Sequence, residues 1–261
     1  MTILDKIIER KKVEVAEAKK QVSLEELEHY PLFSRTCYSL KDSMLHPERT
    51  GIIAEYKRAS PSKGLINGTS TVEEVVKGYQ EAGASAVSVL TDADFFQGSL
   101  ADMRVAREAL TIPLLRKEFI VDTYQIAEAK AYGADIILLI AACLDNKEIE
   151  TYSTYAKSLG LNVLLEVHNE EELQRSLFDS IDAIGVNNRN LKDFEVDLNH
   201  SYDLVNKIPD RFIKVSESGI SNPDTIKALR KAGFQGFLIG ENFMKTKNPS
   251  KAIKEFVEKI Q

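Results

Sequence analysis

GIIAEYK at residues 51–57 is an apolar run that closes on a carboxylate and an amine, and seven more short apolar runs follow it along the chain. They are AVSVL (86–90), PLLRKEF (113–119), DIILLI (135–140), NVLLEVH (162–168), AIGVNN (183–188), FIKVSESG (212–219) and GFLIGEN (236–242), several of which also end in a charged or amide residue. Between them lie stretches of helical period such as TVEEVVKGYQEAGA (71–84), TYQIAEAKAYGA (123–134), KEIETYSTYAKSLG (147–160) and PDTIKALRKAGF (223–234). Eight alternations of strand and helix predict an α/β fold, a closed parallel (β/α)8 TIM barrel. In that architecture active sites sit at the C-terminal ends of the strands, so the polar residues closing these runs are the first catalytic candidates.

Length agrees with this reading. A chain of 261 residues fits one barrel, which commonly uses about 250, so residues 1–261 are expected to form a single domain, with residues 1–48 as an N-terminal helical extension. Within that extension TILDKIIERKKVEVAEAKK (2–20) puts Ile3, Leu4, Ile7, Ile8 and Val15 near one helical stripe, and SLEELEHY (23–30) predicts a second short helix with Ser23 as N-cap. The extension is expected either to plug one end of the barrel or to act as a lid over the site. KAIKEFVEKIQ (251–261) reads as the eighth helix.

Composition narrows the function classes. With 43% hydrophobic and 28% charged residues the chain has material for a real core. A net charge of −6, with basic residues clustered only in KIIERKK and AEAKKQ near the start, disfavours nucleic acid. The absence of an 18-residue apolar run or an apolar leader argues against a membrane partner and for a cytoplasmic location. Cys37 and Cys143 form no CxxC pair and are expected to be reduced thiols. His29, His46, His168 and His200 show no HxH or HExxH spacing, so no metal is expected. GxGxxG, GxxxxGK[ST] and GxSxG are all missing, and no cofactor is expected.

Strand parity separates the barrel-lining residues from the rest. Side chains two apart on a strand share a face, so Glu55 goes with Lys57, Leu115 with Lys117 and Phe119, and Leu164 with Glu166 and His168. If these faces point inward, Lys57, Lys117, Glu55 and Glu166 converge at the mouth. Glu217 shares the parity of Ile213 and Val215, and Asn187 closes the sixth run. Solvated strand-end charges are the plain alternative for any one of these residues. Several converging from different strands point instead to acid–base chemistry, because burying them unpartnered would cost several kcal/mol. ESGIS (217–221) and GEN (240–242) then place glycines in the last two strand-end loops, ahead of a short helical turn NFMK (242–245). Backbone N–H groups there suit a phosphate.

The motifs IIAEYKRASPSKG, LLRKEFIVDTYQI, LLEVHNEEEL, IGVNNRNL, KVSESGI and FLIGENFM together resemble the indole-3-glycerol-phosphate synthase family of tryptophan biosynthesis. The resemblance covers essentially the whole chain, and with no second barrel after residue 261 it is to the monofunctional form. It implies a carboxy-lyase that converts 1-(2-carboxyphenylamino)-1-deoxyribulose 5-phosphate, a phosphosugar-type substrate, to indole-3-glycerol phosphate, carbon dioxide and water. By the same resemblance Lys117 matches the general acid, Lys57 the holder of the substrate carboxylate and Glu166 the base, with Glu55 and Lys57 as the competing pair for dehydration. Asn187, Glu217 and Ser218 match positions that orient substrate, with Arg189 in support. Ser60, Gly219, Gly240 and Glu241 match the phosphate cradle, and Phe96, Phe119, Leu138 and Leu191 the apolar walls. Glu241 departs from the small or hydroxyl residue of many relatives, and only its backbone N–H is expected to face the ligand. The loop KRASPSKGLINGTS (57–70), with Gly64 and Gly68, has the composition of a mobile loop closing over substrate. An isomerase-like phosphosugar barrel and a non-catalytic phosphate-binding barrel are the alternatives; association with other enzymes of the pathway is left open.

Overall fold

The computed structural model describes residues 2–190 and 194–260. Eight parallel strands close into a barrel in sequence order: β1 (Ile52–Tyr56), β2 (Ala86–Leu90), β3 (Leu114–Lys117), β4 (Ile136–Ile140), β5 (Asn162–Val167), β6 (Ala183–Asn187), β7 (Ile213–Glu217) and β8 (Gly236–Ile239). Closure is made where Ile52, Ile53 and Ala54 of β1 pair with Phe237, Leu238 and Ile239 of β8. The alternation predicted from the sequence is therefore the observed topology.

Two apolar layers follow from the period of two along each strand. Outward-facing Ile52, Ala54 and Tyr56 join Val87, Val89, Ile137, Leu139, Val163 and Leu165 in the main core, beneath helices such as Val72–Glu81 and Pro249–Val257. Inward-facing Ile53, Ala86, Leu115, Ile136, Leu138, Leu164, Ala183, Ile213, Val215 and Leu238 fill the barrel itself. β4, IILLI, is buried on both faces, which is why it reads as a continuous apolar run. The helices start where the sequence offers side-chain caps. Thr71, Ser99, Asp122, Asp145 and Asn248 each accept a hydrogen bond from a first-turn backbone N–H, satisfying a donor with no intrahelical partner.

Different segments of the N-terminal extension reach the two ends of the barrel. The short helix Leu40–Met44 sends Leu40 and Met44 into the bottom of the barrel interior. The long helix Ile3–Gln21 runs up the outside, held by Val15 against Tyr124, Ala127 and Ala131, and its first turns reach the mouth. Ser23 caps the helix Leu24–Glu28 as predicted, in a reciprocal box with Glu26.

Some elements were not visible in the alternation. A two-stranded hairpin, Ala59–Ser60 with Gly64–Leu65, forms in the loop after β1, and a single helical turn, Ala93–Phe96, follows β2. The crossover between β5 and β6 carries only the five-residue helix Glu170–Gln174.

Candidate active site

A cavity of about 530 Å³ opens at the C-terminal ends of the strands. Its floor is ionic. Four odd-numbered strands each aim one ionisable side chain inward: Glu55 from β1, Lys117 from β3, Glu166 from β5 and Glu217 from β7. Lys117 Nζ donates to Glu166 Oε2 at 3.0 Å and lies 3.5 Å from Glu217 Oε2. Lys57 Nζ sits 3.0 Å from Glu55 Oε1, whose other oxygen accepts from Ser88 Oγ at 3.3 Å. Asn187 Nδ2 donates to Glu166 Oε1 at 2.9 Å, while Asn187 Oδ1 accepts from the Arg189 backbone.

Room for these side chains comes from the even strands. A Cβ on Gly185 of β6 would stand 2.0 Å from Glu217 Oε1, and one on Gly240, just after β8, 2.8 Å from Glu55 Oε1. Large residues on one set of strands thus face absent side chains on the other, as the layering of a filled barrel requires.

Burial and charge push the carboxylates apart. Burial alone would raise Glu166, but Lys117, His168 and the amide of Asn187 reverse this and hold it below the usual carboxylate range. Glu217, equally buried, is raised: Lys117 opposes the effect of burial, but the charges of Glu166 and Glu55 add to it. Burial disfavours the Lys117 ammonium, yet the three carboxylates outweigh that and raise its pKa. The layer therefore holds a firm anion, a carboxyl that readily keeps its proton, and an ammonium favoured by the carboxylates around it.

The walls carry apolar side chains together with small polar and glycine residues. Phe96 and Phe119 face each other with ring centroids 6.1 Å apart at 37°, and Leu138 lies between floor and wall. Ser60, Ser218, Gly219, Gly240 and Glu241 also line the cavity. Ser218 and Gly219 both adopt left-handed backbone, φ 69° and 78°, and Asn188 Nδ2 donates to the carbonyls of Glu217 and Ser218. The Glu241 side chain is paired with cations. Its carboxylate lies 3.8 Å from both Lys63 Nζ and Arg189 Nη2, and two cations there offset the repulsion its charge would bring to an anion.

All of the candidate residues read from the sequence meet at this cavity except Leu191, which lies outside the described residues. Ile3, Leu4 and Ile7 of the first helix also line it, as do Lys63, Phe194 and Val196. The helical stripe gave a signal for the first three, but periodicity does not say what a stripe covers.

The long helix is pinned by a buried ion cluster. Lys11 Nζ lies 2.6 Å from Glu14, 2.8 Å from Asp92 and 3.0 Å from Glu118. Asp92 caps the turn that carries Phe96, and Glu118 stands between Lys117 and Phe119, accepting from the Phe119 N–H. Burial would lower Lys11, but Glu118, Asp92 and Glu14 raise it above its ordinary value.

Across the described residues no three His, Cys, Asp or Glu are arranged to hold a metal ion, and no helix is long and apolar enough to cross a membrane.

A closed eight-stranded barrel with lysines and carboxylates converging on its mouth is the architecture of (β/α)8-barrel enzymes working by acid–base chemistry. Residues 4–256 match the family model for indole-3-glycerol phosphate synthase. The chain belongs to that family. It is 47% identical to the indole-3-glycerol phosphate synthase of Bacteroides thetaiotaomicron, over 99% of each chain, and 44% identical to that of Acinetobacter baumannii strain SDF, over 96% of this chain and 94% of the relative. Among solved structures it is similar to 3-hexulose-6-phosphate synthase from Salmonella typhimurium, with TM-score 0.63 and 12% identity over 81% of this chain and 98% of that one. It is also similar to a chain of the tryptophan synthase complex from Pyrococcus furiosus, with TM-score 0.60 and 16% identity over 82% and 98%. These two likenesses show the fold alone.

Proposed function

We propose that the whole chain, residues 1–261, acts as one unit that closes the indole ring with the residues at this mouth in defined roles. The family activity is that of a carboxy-lyase of tryptophan biosynthesis, indole-3-glycerol phosphate synthase. The observation that carries the assignment of roles is the position of Lys117 Nζ between Glu166 and Glu217. In the first step an aryl carbon attacks the ketone of the carboxyphenylamino-deoxyribulose phosphate, and negative charge grows on the ketone oxygen. Lys117, a cation held among carboxylates, donates a proton there. Lys57 holds the substrate carboxylate until it leaves as carbon dioxide, and Phe96 and Phe119 keep the aromatic ring over the ketone, a positioning effect that supplies much of the rate. For loss of water, the Lys117–Glu166 pair supplies the proton with which the hydroxyl departs, Glu166, the carboxylate kept ionised, takes the ring-side proton, and Glu217 orients the hydroxyl.

The phosphosugar end of the substrate is assigned to Ser60, Ser218, Gly219 and Gly240, with Arg189 and Lys63 as the nearby cations. Gly219→Ala tests this cradle. Its Cβ would meet Val196 Cγ1 at 2.3 Å in a backbone with φ +78°, so the loop must shift. KM is expected to rise about 10-fold or more with a smaller change in kcat, read from steady-state kinetics; an unchanged KM removes the loop from the phosphate site.

Turnover itself is tested by the growth of indole fluorescence from the carboxyphenylamino-deoxyribulose phosphate. A folded protein that gives no signal, with and without added divalent cation, would contradict the ring-closing reading. A biosynthetic barrel of this kind is proposed to work in the cytoplasm, on a small-molecule substrate and without nucleic acid.

A further inference from the structure

Ring closure has a proton deficit that can be counted from its chemistry. The ketone oxygen takes one proton to become a hydroxyl, and that hydroxyl takes a second to leave as water. One proton returns to the enzyme from the ring-side carbon. The substrate carboxylate departs as neutral carbon dioxide, and the phosphate is unchanged. Each turnover therefore draws one proton from solvent into the Lys117–Glu166 pair, whose side chains are 17% and 3% exposed.

His168 lies against this pair but does not line the cavity. Parity places it after Glu166 on the same face of β5, and its Nε2 is 3.4 Å from Glu166 Oε1. Its other nitrogen, Nδ1, is 3.4 Å from Glu172 Oε2. Both ring nitrogens are buried without a closed hydrogen bond. Glu172 is held in place: Oε2 accepts from the His168 backbone N–H at 2.8 Å and Oε1 from Asn169 Nδ2 at 2.8 Å. Side-chain exposure rises from 3% at Glu166 to 13% at His168 and 15% at Glu172, so the three form a row leading from the buried base through two residues that do not line the cavity.

We propose that Glu172 and His168 form a relay that restores the proton consumed by the Lys117–Glu166 pair in each turnover, resting on the reading of that pair as the acid–base centre. Glu172 takes a proton from water and passes it to His168 Nδ1. The imidazole gives its Nε2 proton to Glu166 Oε1, and Glu166, once its carboxyl has turned, gives that proton to Lys117 Nζ when the amine has been spent. No bond other than those to hydrogen changes, and the sum is one solvent proton taken up.

The groups facing the imidazole fit this role. Glu166 faces it from β5, Glu172 from the helix after it and Glu217 from β7; burial would lower His168, and these carboxylates together raise it above its ordinary value. Cys143, beside Glu166 and Glu172, is pushed up to about 12 by burial and then by those charges, so it stays a thiol and does not compete. Each ring nitrogen stands 3.4 Å from a carboxylate oxygen, Nε2 from Glu166 and Nδ1 from Glu172, so both are within reach of a partner on the proposed path.

The test compares His168→Asn, Glu172→Gln and the parent protein in steady-state kinetics across pH, in light and heavy water, with thermal unfolding as the control for folding. Both variants are expected to lose about 10-fold or more in kcat with KM held within about 2-fold, with an enlarged solvent isotope effect. Added imidazole should restore part of the His168→Asn loss. An unchanged kcat in either variant overturns the relay, as does a loss matched by KM and indifferent to imidazole. If His168→Asn does not fold, Glu172→Gln decides alone. Lys117→Ala separates the two readings: if it is inactive while His168→Asn is normal, only the relay fails, whereas an active Lys117→Ala removes the acid–base centre itself.

Discussion

Lys117→Ala should lower kcat/KM by a factor on the order of 10³–10⁴, because general-acid catalysis and charge stabilisation are lost together. Product binding should persist, since the phosphate loops and aromatic walls are untouched. Binding without turnover is therefore the expected pair of results, read by a fluorescence titration and the indole assay on one sample. Glu166 and Glu217 would then face each other with no cation within 3.5 Å from β3, and one of them should take up a proton near neutral pH. Turnover within 10-fold of the parent would end the assignment of Lys117 as the acid.

Lys11→Met should destabilise the fold more than Gly219→Ala, His168→Asn or Lys117→Ala, although Lys11 does not itself line the cavity. The variant leaves Asp92, exposed by 0%, without its cation and removes the nearer of two from Glu118, exposed by 3%, which keeps only Arg116 at 3.8 Å. Removing one partner of a buried ion cluster costs about 3–5 kcal/mol, which for a chain of this size lowers Tm by roughly 6–20 °C. Lys11→Arg keeps the charge and should lose much less. KM should also rise in the folded Met variant, because the helix that Lys11 docks brings Ile3, Leu4 and Ile7 to the cavity. A Tm within about 2 °C of the parent would show that the helix is held by its apolar contacts with Tyr124 and Ala127 instead.

The contrast between these two lysines shows what the sequence makes legible. Lys117 closes an apolar strand of unmistakable period, and parity alone puts it on the same face as Leu115 and at the same end as Glu166. Lys11 lies in a helix whose neighbours are Glu9, Arg10, Lys12 and Glu14, and among so many charges nothing local marks one as buried. Its partners, Asp92 and Glu118, come from two loops about 80 and 107 positions away, and only the docking of the helix brings them together. Gly185 is similar: within AIGVNN it reads as a small strand residue, and its need to be glycine appears only when β7 sets Glu217 Oε1 beside it. His168 has the right parity for the cavity but does not line it, a distinction that period two does not make. Local periodicity recovers strands and faces, whereas contacts between elements far apart in the chain depend on packing.

Closure of the barrel by β1 against β8 also bears on how the protein is made. Ile52 has to wait for Phe237, its partner 185 positions later, and at synthesis rates of 5–20 residues per second that takes about 10–40 s. During that interval β1 can pair with β2 through one edge only, and its other edge is an unpaired, apolar strand of the kind that invites association between chains. The seam between the first and last strands is therefore the place where a nascent chain is most exposed to misassembly, and chaperone dependence should be greatest for variants that weaken β8.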